Sequence, residues 1–209
     1  MKINNSQIDY DGEDINQADL SANPLHVFKE WFLKAQQEDN FANAMVLSTV
    51  SLLQQPSSRV VLLKSFDYRG FVFFTNLESQ KAEDIAYLSR VSLLFFWPTQ
   101  IRQVRIQGEA RKVSRKEAEE YFATRPLGSQ ISAWQSPQSR HIREEAIHKL
   151  REKPVSDPSQ CPPFWGGYRI KPSQYEFFQG KKDRWHDRIL YLRSPGLGKY
   201  GWRSTRVAP

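Results

Sequence analysis

Cationic side chains at the two ends of an apolar run form the first of four clusters in this sequence that could do chemistry. Arg59 and Lys64 bracket Val60–Leu63. The two cations are five residues apart, an odd separation, so a regular strand would place them on opposite faces. Either they bind different anions, or one of them is an ordinary surface charge.

Two further clusters lie where helices are predicted to begin or end. Ser79–Lys81 opens a predicted helix whose free N–H groups and dipole attract anions, although the serine would also serve there simply as a cap. Tyr121 and Arg125 are four residues apart and share a helix face, and together with Ser129 they would grip a phosphate. The alternative is that the tyrosine packs in the core and the arginine is solvated.

The fourth cluster is the run Asp183–Arg188. Arg184, His186 and Arg188 alternate along it, so a regular strand would present all three on one face. Three cationic or titratable groups side by side repel one another unless an anion or a carboxylate lies against them. The alternative is a solvated edge strand.

No catalytic or metal-binding motif accompanies these clusters. The four histidines have no paired ligand spacing and Cys161 is the single cysteine, so no metal site and no intrachain disulfide are predicted. The glycine-rich motifs that cradle phosphates and the Gly-x-Ser-x-Gly nucleophile turn are missing as well. The remaining basic and amide side chains are suited to binding anions rather than to acid–base or nucleophilic cleavage.

The charge of the chain is consistent with an anionic partner. Its 209 residues carry a net charge of +7, although residues 1–26 contain five acidic side chains and one basic one. The basic remainder indicates a nucleic acid, a phosphorylated metabolite or a nucleotide cofactor, unless it is a solvated surface. The acidic and aperiodic residues 1–22 are predicted to be a flexible segment in front of one domain, residues 23–209.

Strands outnumber helices in the predicted order of elements, and short turns join most of them. This pattern favours a mainly β, α+β fold, in which an antiparallel sheet is closed or nearly so and helices lie at its periphery. The longest apolar run, Val91–Trp97, is far below the ~20 residues that cross a bilayer, and no apolar signal region begins the chain. A protein of the cytoplasm with no membrane partner is therefore predicted.

The predicted helices begin at Pro24, Ser79, Ser114 and near Ile142. The predicted strands are Ala44–Val50, Arg59–Phe66, Phe71–Thr75, Val91–Trp97, Arg102–Val113, Gly167–Lys171, Tyr175–Gln179, Arg184–Arg193 and Tyr200–Val207.

Taken in order, the four clusters resemble the pyridoxamine 5′-phosphate oxidase family, also called pyridoxine 5′-phosphate oxidase, from about Asn23 to the last residue. Each matching stretch is weak alone, but the ordered set is specific. The stretches are Arg59–Lys64, Phe74–Asn76, Val91–Trp97, Arg102–Val104, Tyr121-Phe122 with Arg125-Pro126, Ser129–Ile131 with Ala133-Trp134, Gln138-Ser139, Phe164–Gly167, Arg184–Arg188 and Arg206–Pro209.

The resemblance implies an FMN-binding split β-barrel that works as a homodimer, with two sites at the subunit interface. It assigns the grip on the substrate phosphate to Lys64, Tyr121, Arg125 and Ser129, and it places Arg184 and His186, the expected catalytic residues, over the substrate ring. The cofactor ligands that it implies are Arg59, Val60, Leu62, Lys64, Phe74, Thr75, Gln80, Lys81, Gln103, Gln138, Ser139, Trp165 and Arg188.

The implied reaction is oxidation of pyridoxamine or pyridoxine 5′-phosphate to pyridoxal 5′-phosphate, the last step in making the vitamin B6 cofactor. A hydride would pass from substrate C4′ to flavin N5, and O₂ would reoxidise the flavin to give hydrogen peroxide. Two alternatives stay open: another FMN split-barrel flavoprotein, such as a flavin reductase-like protein, and a basic nucleic-acid-binding protein. The sequence departs from the family pattern at Gln80, where the family usually has arginine, and one FMN-phosphate cation is missing as a result.

Overall fold

The structure, a computed structural model, describes residues 10–194, 196 and 199–209, and in these it forms five α-helices and nine strands. The helices are α1 (Pro24–Glu38), α2 (Gln80–Tyr87), α3 (Arg115–Ala123), α4 (Leu127–Gln135) and α5 (Glu144–Glu152). The strands are β1 (Ala44–Val50), β2 (Pro56–Leu62), β3 (Ser65–Asp67), β4 (Gly70–Asn76), β5 (Arg90–Trp97), β6 (Arg102–Lys112), β7 (Trp165–Gln179), β8 (Asp187–Arg193) and β9 (Trp202–Val207).

All nine strands belong to one sheet, in the order β2-β1-β5-β6-β7-β4-β3, with β8 paired to β7 and β9 paired to β8. The long strand β7 changes partner along its length. Its first part, Trp165–Ile170, pairs antiparallel with β4, and its last part, Gln174–Gln179, pairs antiparallel with β8. Pro172 lies between the two paired parts, outside the residues of β7 that pair with β4 and with β8.

The chain divides into two compact units, which are described here separately. The first unit contains the described residues of Met1–Leu47, Ser92–Gly108 and Pro172–Pro209. The second unit contains Ser48–Val91 and Glu109–Lys171.

Aromatic packing around α1 forms the core of the first unit. The helix begins as predicted, with Pro24 in its first turn and the Asn23 Oδ1 atom accepting the Leu25 N–H at 3.1 Å. Its buried face brings Phe28 edge-on to Phe95, with ring centroids 5.0 Å apart. Burial of this face stabilises the helix more than its intrinsic propensity does.

In the second unit, β4 is buried along most of its length and supports the helices around it. Phe71, Val72 and Phe73 are fully buried. The Ser114 hydroxyl caps α3 by accepting the Glu117 N–H at 3.1 Å, as the sequence predicted. Gly167 is required where β7 meets β4, because a Cβ there would lie 2.6 Å from the carbonyl oxygen of Phe73.

Several elements differ from the prediction. The stretch predicted as a turn at Pro56 is the start of β2, and the strand predicted for Arg59–Phe66 is divided between β2, which ends at Leu62, and β3, Ser65–Asp67. The two strands predicted for Gly167–Lys171 and Tyr175–Gln179 are one strand. Helix α4 was not predicted, because Pro126 was interpreted only as a stop, whereas it stands at the N-cap of α4. The last difference, the late start of β8, is described with the site.

Residues 10–22 of the predicted flexible segment are described and make long-range contacts. The Ile15 N–H donates to Asp187 Oδ2 at 2.9 Å, and the Ile15 side chain is buried. Residues 1–9 lie outside the described residues. The division at residue 22 stays a prediction.

Candidate functional site

The second unit contains a cavity of about 560 Å³ whose wall brings together residues that are far apart in sequence. Eleven of the predicted cofactor and substrate residues lie on it: Val60, Leu62, Lys64, Phe74, Thr75, Lys81, Tyr121, Arg125, Ser129, Gln138 and Trp165. Sequence reasoning missed Val61, Thr124 and Pro126, which complete the wall. They carry no charge, and their proximity to the predicted residues in the chain was the one available signal.

Lys81 is a buried cation within the cavity wall. Its Nζ atom donates to Thr75 Oγ1 at 3.2 Å, to Ser79 Oγ at 3.0 Å and to Gln138 Oε1 at 3.1 Å. All three partners are neutral, so the charge of the amine is solvated but not balanced. Burial, with a smaller contribution from the nearby positive charge of Arg59 and against an opposing effect of Asp84, lowers the pKa of Lys81 to about 8.

Arg59 and Gln80 are directed at protein groups and are outside the described lining of the cavity. Arg59 donates through Nη1 to Thr49 Oγ1 at 2.7 Å and lies 3.7 Å from Asp84 Oδ2. Gln80 donates through Nε2 to Asp84 Oδ1 at 2.9 Å. Ser79 stands at the N-cap of α2, but its hydroxyl makes no capping hydrogen bond and donates to the Asn76 carbonyl instead. The cofactor roles predicted for Arg59 and Gln80 stay predictions.

An aromatic stack shapes another part of the cavity wall. The rings of Phe74 and Tyr121 are nearly parallel, with centroids 4.0 Å apart. The exposed Lys64 reaches the tyrosine, and its Nζ lies 5.7 Å from the ring centroid. Tyr121 is half-buried, so it packs against Phe74 while part of its side chain stays accessible, and its predicted phosphate role stays a prediction.

Arg125 supplies a hydrogen-bond donor that no described protein group accepts. Its guanidinium carbon stands 4.1 Å from the ring centroid of Trp165, a stacking geometry that leaves the N–H groups free. Its Nη1 atom and the Trp165 Nε1 atom are buried, and each lacks a hydrogen-bond partner among the described residues. Burial lowers the pKa of Arg125 from its usual value, although the guanidinium stays charged.

These features fit an anionic, ring-containing ligand. An unpaired buried donor costs roughly 1–3 kcal/mol, so a bound molecule that accepts hydrogen bonds from Arg125 and Trp165 would recover that cost. Among the described residues, none of the three cavity cations Lys64, Lys81 and Arg125 has a carboxylate within 4 Å. Such a wall can hold phosphate groups and pack an apolar ring against its aromatic side chains.

A strained loop carries Gln138 to the cavity. Gln138 Oε1 accepts from Thr75 Oγ1 at 3.1 Å as well as from Lys81. The next residue, Ser139, has φ of +67°, in the left-handed region that side chains other than glycine rarely adopt. Ser139 itself lies outside the described lining, and its predicted cofactor role stays a prediction.

The remaining predicted residues belong to the first unit. Gln103 is half-buried on β6. Arg188 is held by the buried Glu176, to whose Oε1 atom it donates through Nε at 3.0 Å and Nη2 at 2.8 Å. His186 accepts the Lys181 N–H at its Nδ1 atom, 3.0 Å away, and its ring lies between Tyr10 and Phe178, at centroid distances of 5.8 and 4.8 Å. Burial lowers the pKa of His186, and the charges of Arg184 and Arg188 add to this effect.

The predicted shared strand face of Arg184, His186 and Arg188 is wrong. Strand β8 begins only at Asp187, and residues 182–184 form a short 3₁₀ turn. Asp183 and Arg184 have φ of +53° and +61°, which breaks the alternation before β8 starts. The three side chains are therefore presented by a turn and a strand end, and their predicted roles no longer follow from a common face.

Comparison with solved structures defines the class of fold. The chain resembles PhzG from Burkholderia lata, determined in complex with tetrahydrophenazine-1-carboxylic acid, with a TM-score of 0.83 and 26% identity over 95% of this chain and 99% of that one. It also shares the fold of a pyridoxamine 5′-phosphate oxidase-related, FMN-binding protein from Nostoc punctiforme, with a TM-score of 0.75 and 18% identity over 91% and 100% of the two chains. The predicted antiparallel split-barrel fold is confirmed.

Sequence comparison defines the family. A family model described as pyridoxamine 5′-phosphate oxidase matches residues 34–155, and a model of the pyridoxine 5′-phosphate oxidase C-terminal dimerisation region matches residues 165–209. The chain is 45% identical over 207 residues to a pyridoxine/pyridoxamine 5′-phosphate oxidase of Burkholderia thailandensis, covering 96% of this chain and 95% of the relative. A relative from Burkholderia cenocepacia with the same name is 44% identical over 97% of both chains. The chain belongs to the pyridoxamine 5′-phosphate oxidase family, as the sequence predicted.

Helix length bears on membrane association. None of the described helices is both long enough and apolar enough to cross a membrane.

Proposed function

We propose that the protein is an FMN-dependent oxidase that converts pyridoxamine 5′-phosphate or pyridoxine 5′-phosphate to pyridoxal 5′-phosphate, with O₂ as the electron acceptor. Relatives 44–45% identical over nearly the whole chain carry the name of this activity. The observation that carries the proposal is the cavity of the second unit, in which three cations without carboxylate partners surround an aromatic wall. That arrangement suits phosphorylated ring compounds.

When bound, FMN would supply the redox chemistry, a two-electron oxidation at substrate C4′ with O₂ as the final acceptor and hydrogen peroxide as the second product. The protein residues bind and orient. Lys81, held by Thr75 and Gln138 and without a carboxylate hydrogen-bond partner in the described part of the chain, offers a buried positive charge for the FMN phosphate. Oxidation of the alcohol substrate then balances as one alcohol plus O₂ giving one aldehyde plus hydrogen peroxide, and the amine substrate consumes one water and releases ammonia in addition.

The substrate phosphate is assigned to Lys64, Tyr121, Arg125 and Ser129. Arg125 is the central member of this set, because its buried Nη1 atom is a charged donor without a protein acceptor. A charge-assisted hydrogen bond there contributes about 1.5–3 kcal/mol. Stacking on Trp165 fixes the plane of the guanidinium, so little side-chain freedom is lost when the phosphate binds.

We also propose that the protein works as a homodimer, since residues 165–209 match a dimerisation region. This range contains Trp165, Arg184, His186 and Arg188. The assignments of Arg184 and His186 to the substrate, as its catalytic residues, and of Arg188 and Gln103 to FMN belong to this proposal.

The likeness to PhzG favours a second candidate, oxidation of a reduced ring that bears a carboxylate. The two functions differ in the anion that the substrate presents. A phosphate dianion makes fuller use of Lys64, Arg125 and Ser129 than a single carboxylate does, so the phosphorylated B6 vitamers remain the first candidate.

The test measures O₂ consumption, hydrogen peroxide and pyridoxal 5′-phosphate from the FMN-loaded protein with each vitamer phosphate, and with the same vitamers lacking phosphate. Equal amounts of peroxide and pyridoxal phosphate are expected. Arg125→Leu should lower kcat/KM for the phosphorylated substrate about 10- to 150-fold and leave the unphosphorylated one almost unchanged. Arg111→Ala, which removes an exposed arginine paired to Glu109, is the matched control. No turnover of either vitamer phosphate by the FMN-loaded wild type would refute the proposal.

A further inference from the structure

Arg140 is a surface arginine that neither the predicted site nor the proposed function uses. It nevertheless makes hydrogen bonds to the chain on both sides of the buried Lys81. Its Nη2 atom donates to the Glu78 carbonyl oxygen at 2.8 Å and to Glu83 Oε1 at 2.7 Å. Glu78 and Glu83 flank the segment Ser79–Lys81, which contains the buried amine. One guanidinium group is therefore hydrogen-bonded to residues before and after Lys81 in the chain.

The same arginine ends the loop that carries Gln138. Residues 136–140 are all exposed, and their own turn is closed by the Gln138 N–H to the Ser136 carbonyl, at 2.9 Å, and by the Arg140 N–H to the Pro137 carbonyl, at 3.0 Å. Two side chains of this loop reach the segment 75–83. Gln138 contacts Thr75 and Lys81 at the cavity wall, and Arg140 contacts Glu83 on the solvent-exposed surface.

Backbone strain at Ser139 makes the position of Gln138 depend on the contact between Arg140 and Glu83. Ser139, between the two contacts, has the left-handed φ of +67°, a conformation that persists only where surrounding contacts hold it. Releasing Arg140 would allow Ser139 to relax, and Gln138 Oε1 would then leave Lys81 Nζ and Thr75 Oγ1. The buried amine would lose one of its three acceptors.

We propose that Arg140 is a positioning residue for the cofactor: it clamps the loop 136–140 onto the start of α2 and so holds Gln138 and Lys81 in the geometry that binds the FMN phosphate. This inference rests on the proposed function. The arginine acts through the loop and does not itself line the described cavity wall. Its ion pair with Glu83 is about half-exposed on both sides, so it contributes little to global stability.

The experiment titrates the cofactor-free full-length protein with FMN and follows flavin fluorescence, and it records the melting temperature of each cofactor-free variant. Arg140→Ala should raise the Kd for FMN about 3- to 10-fold, mainly through faster dissociation, while the melting temperature stays within about 1 °C. Arg140→Glu should raise the Kd further, because the new carboxylate repels Glu83. Adding Glu83→Arg to that variant should recover at least half of the loss.

Matched controls separate positioning from a general effect of charge. Arg111→Ala removes another exposed arginine of the second unit, whose pair with Glu109 is formed at 3.0 Å, and it should leave the Kd for FMN unchanged. An Arg140→Ala variant with unchanged FMN affinity would overturn the inference. So would a loss of affinity that follows an equal drop in melting temperature and is not recovered by the charge swap. A wild type that binds no FMN would overturn the proposed function together with this inference, whereas unaltered affinity in the variants alone would overturn only the latter.

Discussion

Two regions of the protein use cations in opposite ways: the surroundings of Glu176 and Asp187 in the first unit, and the cavity wall in the second. In the first unit, Arg105 and Arg188 share the buried Glu176, and Arg206 pairs with Asp187. In the second unit, the cavity cations Lys81 and Arg125 face neutral acceptors or an aromatic ring. A count of positive charge does not distinguish the two regions. The difference is whether the cation already forms an ion pair with a carboxylate of the same unit.

The paired region of the first unit also fixes the segment near the N-terminus. The Asp187 carboxylate accepts the Ile15 N–H at 2.9 Å, and Arg206 donates to the Ile15 carbonyl at 2.5 Å. Burial tends to raise the pKa of Asp187, but these hydrogen bonds and the charges of Arg206 and Lys181 outweigh it, so the pKa is lowered overall. The cations around Asp187 thus stabilise the fold, while those in the cavity have no carboxylate partner among the described residues.

The largest expected effect comes from removing the charge of Glu176, the carboxylate that two arginines of the first unit share. Glu176→Gln removes the charge that two arginines share and should lower the free energy of unfolding of the cofactor-free protein by about 1.5–3 kcal/mol, measured by urea denaturation. Glu109→Gln, which breaks the exposed pair with Arg111, should cost less than about 0.5 kcal/mol. Equal losses in the two variants would show that Glu176 is not a stabilising partner.

A smaller effect, the change of FMN affinity with pH, tests the cavity cation Lys81. Lys81, with its pKa lowered to about 8 in the cofactor-free protein, is largely charged at pH 7.5 and largely neutral at pH 9, whereas the FMN phosphate stays dianionic over this range. FMN affinity should therefore fall roughly eightfold from about pH 7.5 to pH 9, in step with the charged fraction of Lys81. The sign is opposite for folding: the unfolded chain, with a lysine pKa near 10.5, binds more protons between pH 8 and 10.5, so this lysine makes the cofactor-free protein more stable as pH rises.

Lys81→Met is the control for both pH effects. It should bind FMN more weakly, with an affinity that no longer changes over this range, and its stability should lack the rise above pH 8 that the wild type shows. A wild type and a variant with the same pH dependence of FMN binding would remove Lys81 from the phosphate site.

The smallest expected effect concerns Gln80. Because this side chain donates to Asp84 Oδ1, an arginine in its place would pair with the same carboxylate before it reached the cavity. Gln80→Arg should therefore change FMN affinity less than about twofold at low salt, since the buried Asp84 carboxylate would neutralise much of the added charge. A clear, salt-sensitive gain in flavin fluorescence titrations would show instead that residue 80 faces the phosphate, as the family pattern implied.

Local patterns in the sequence were sufficient for much of the fold and the cavity. The Asn23-Pro24 cap predicted the start of α1. Tyr121 and Arg125 do lie on one cavity wall, but the predicted shared helix face is wrong, because α3 ends at Ala123 and Arg125 follows it. The ordered clusters gave the family, which the comparisons confirm. These predictions succeed because caps, helical spacing and strand alternation depend on residues that are close in the chain.

Features that depend on distant contacts or on unusual backbone angles were not accessible in this way. Nothing near Ile15 indicates that its N–H bonds to a residue 172 positions away. Positive φ at Asp183 and Arg184 is not signalled by glycine, so the alternation of Arg184, His186 and Arg188 was extended through a turn. Arg140 was passed over because its partners, Glu78 and Glu83, lie about 60 residues earlier in the chain.

The hydrogen bond from the Lys181 N–H to His186 Nδ1 fixes which way this imidazole can move a proton. An accepting Nδ1 must keep its lone pair, so in the neutral ring the hydrogen resides on Nε2. The lowered pKa keeps the ring mostly in that tautomer at neutral pH. Through Nε2, His186 therefore offers a permanent donor and never an acceptor. It can orient an oxygen of a bound molecule, but it cannot take a proton from that molecule unless the contact with Lys181 is first given up.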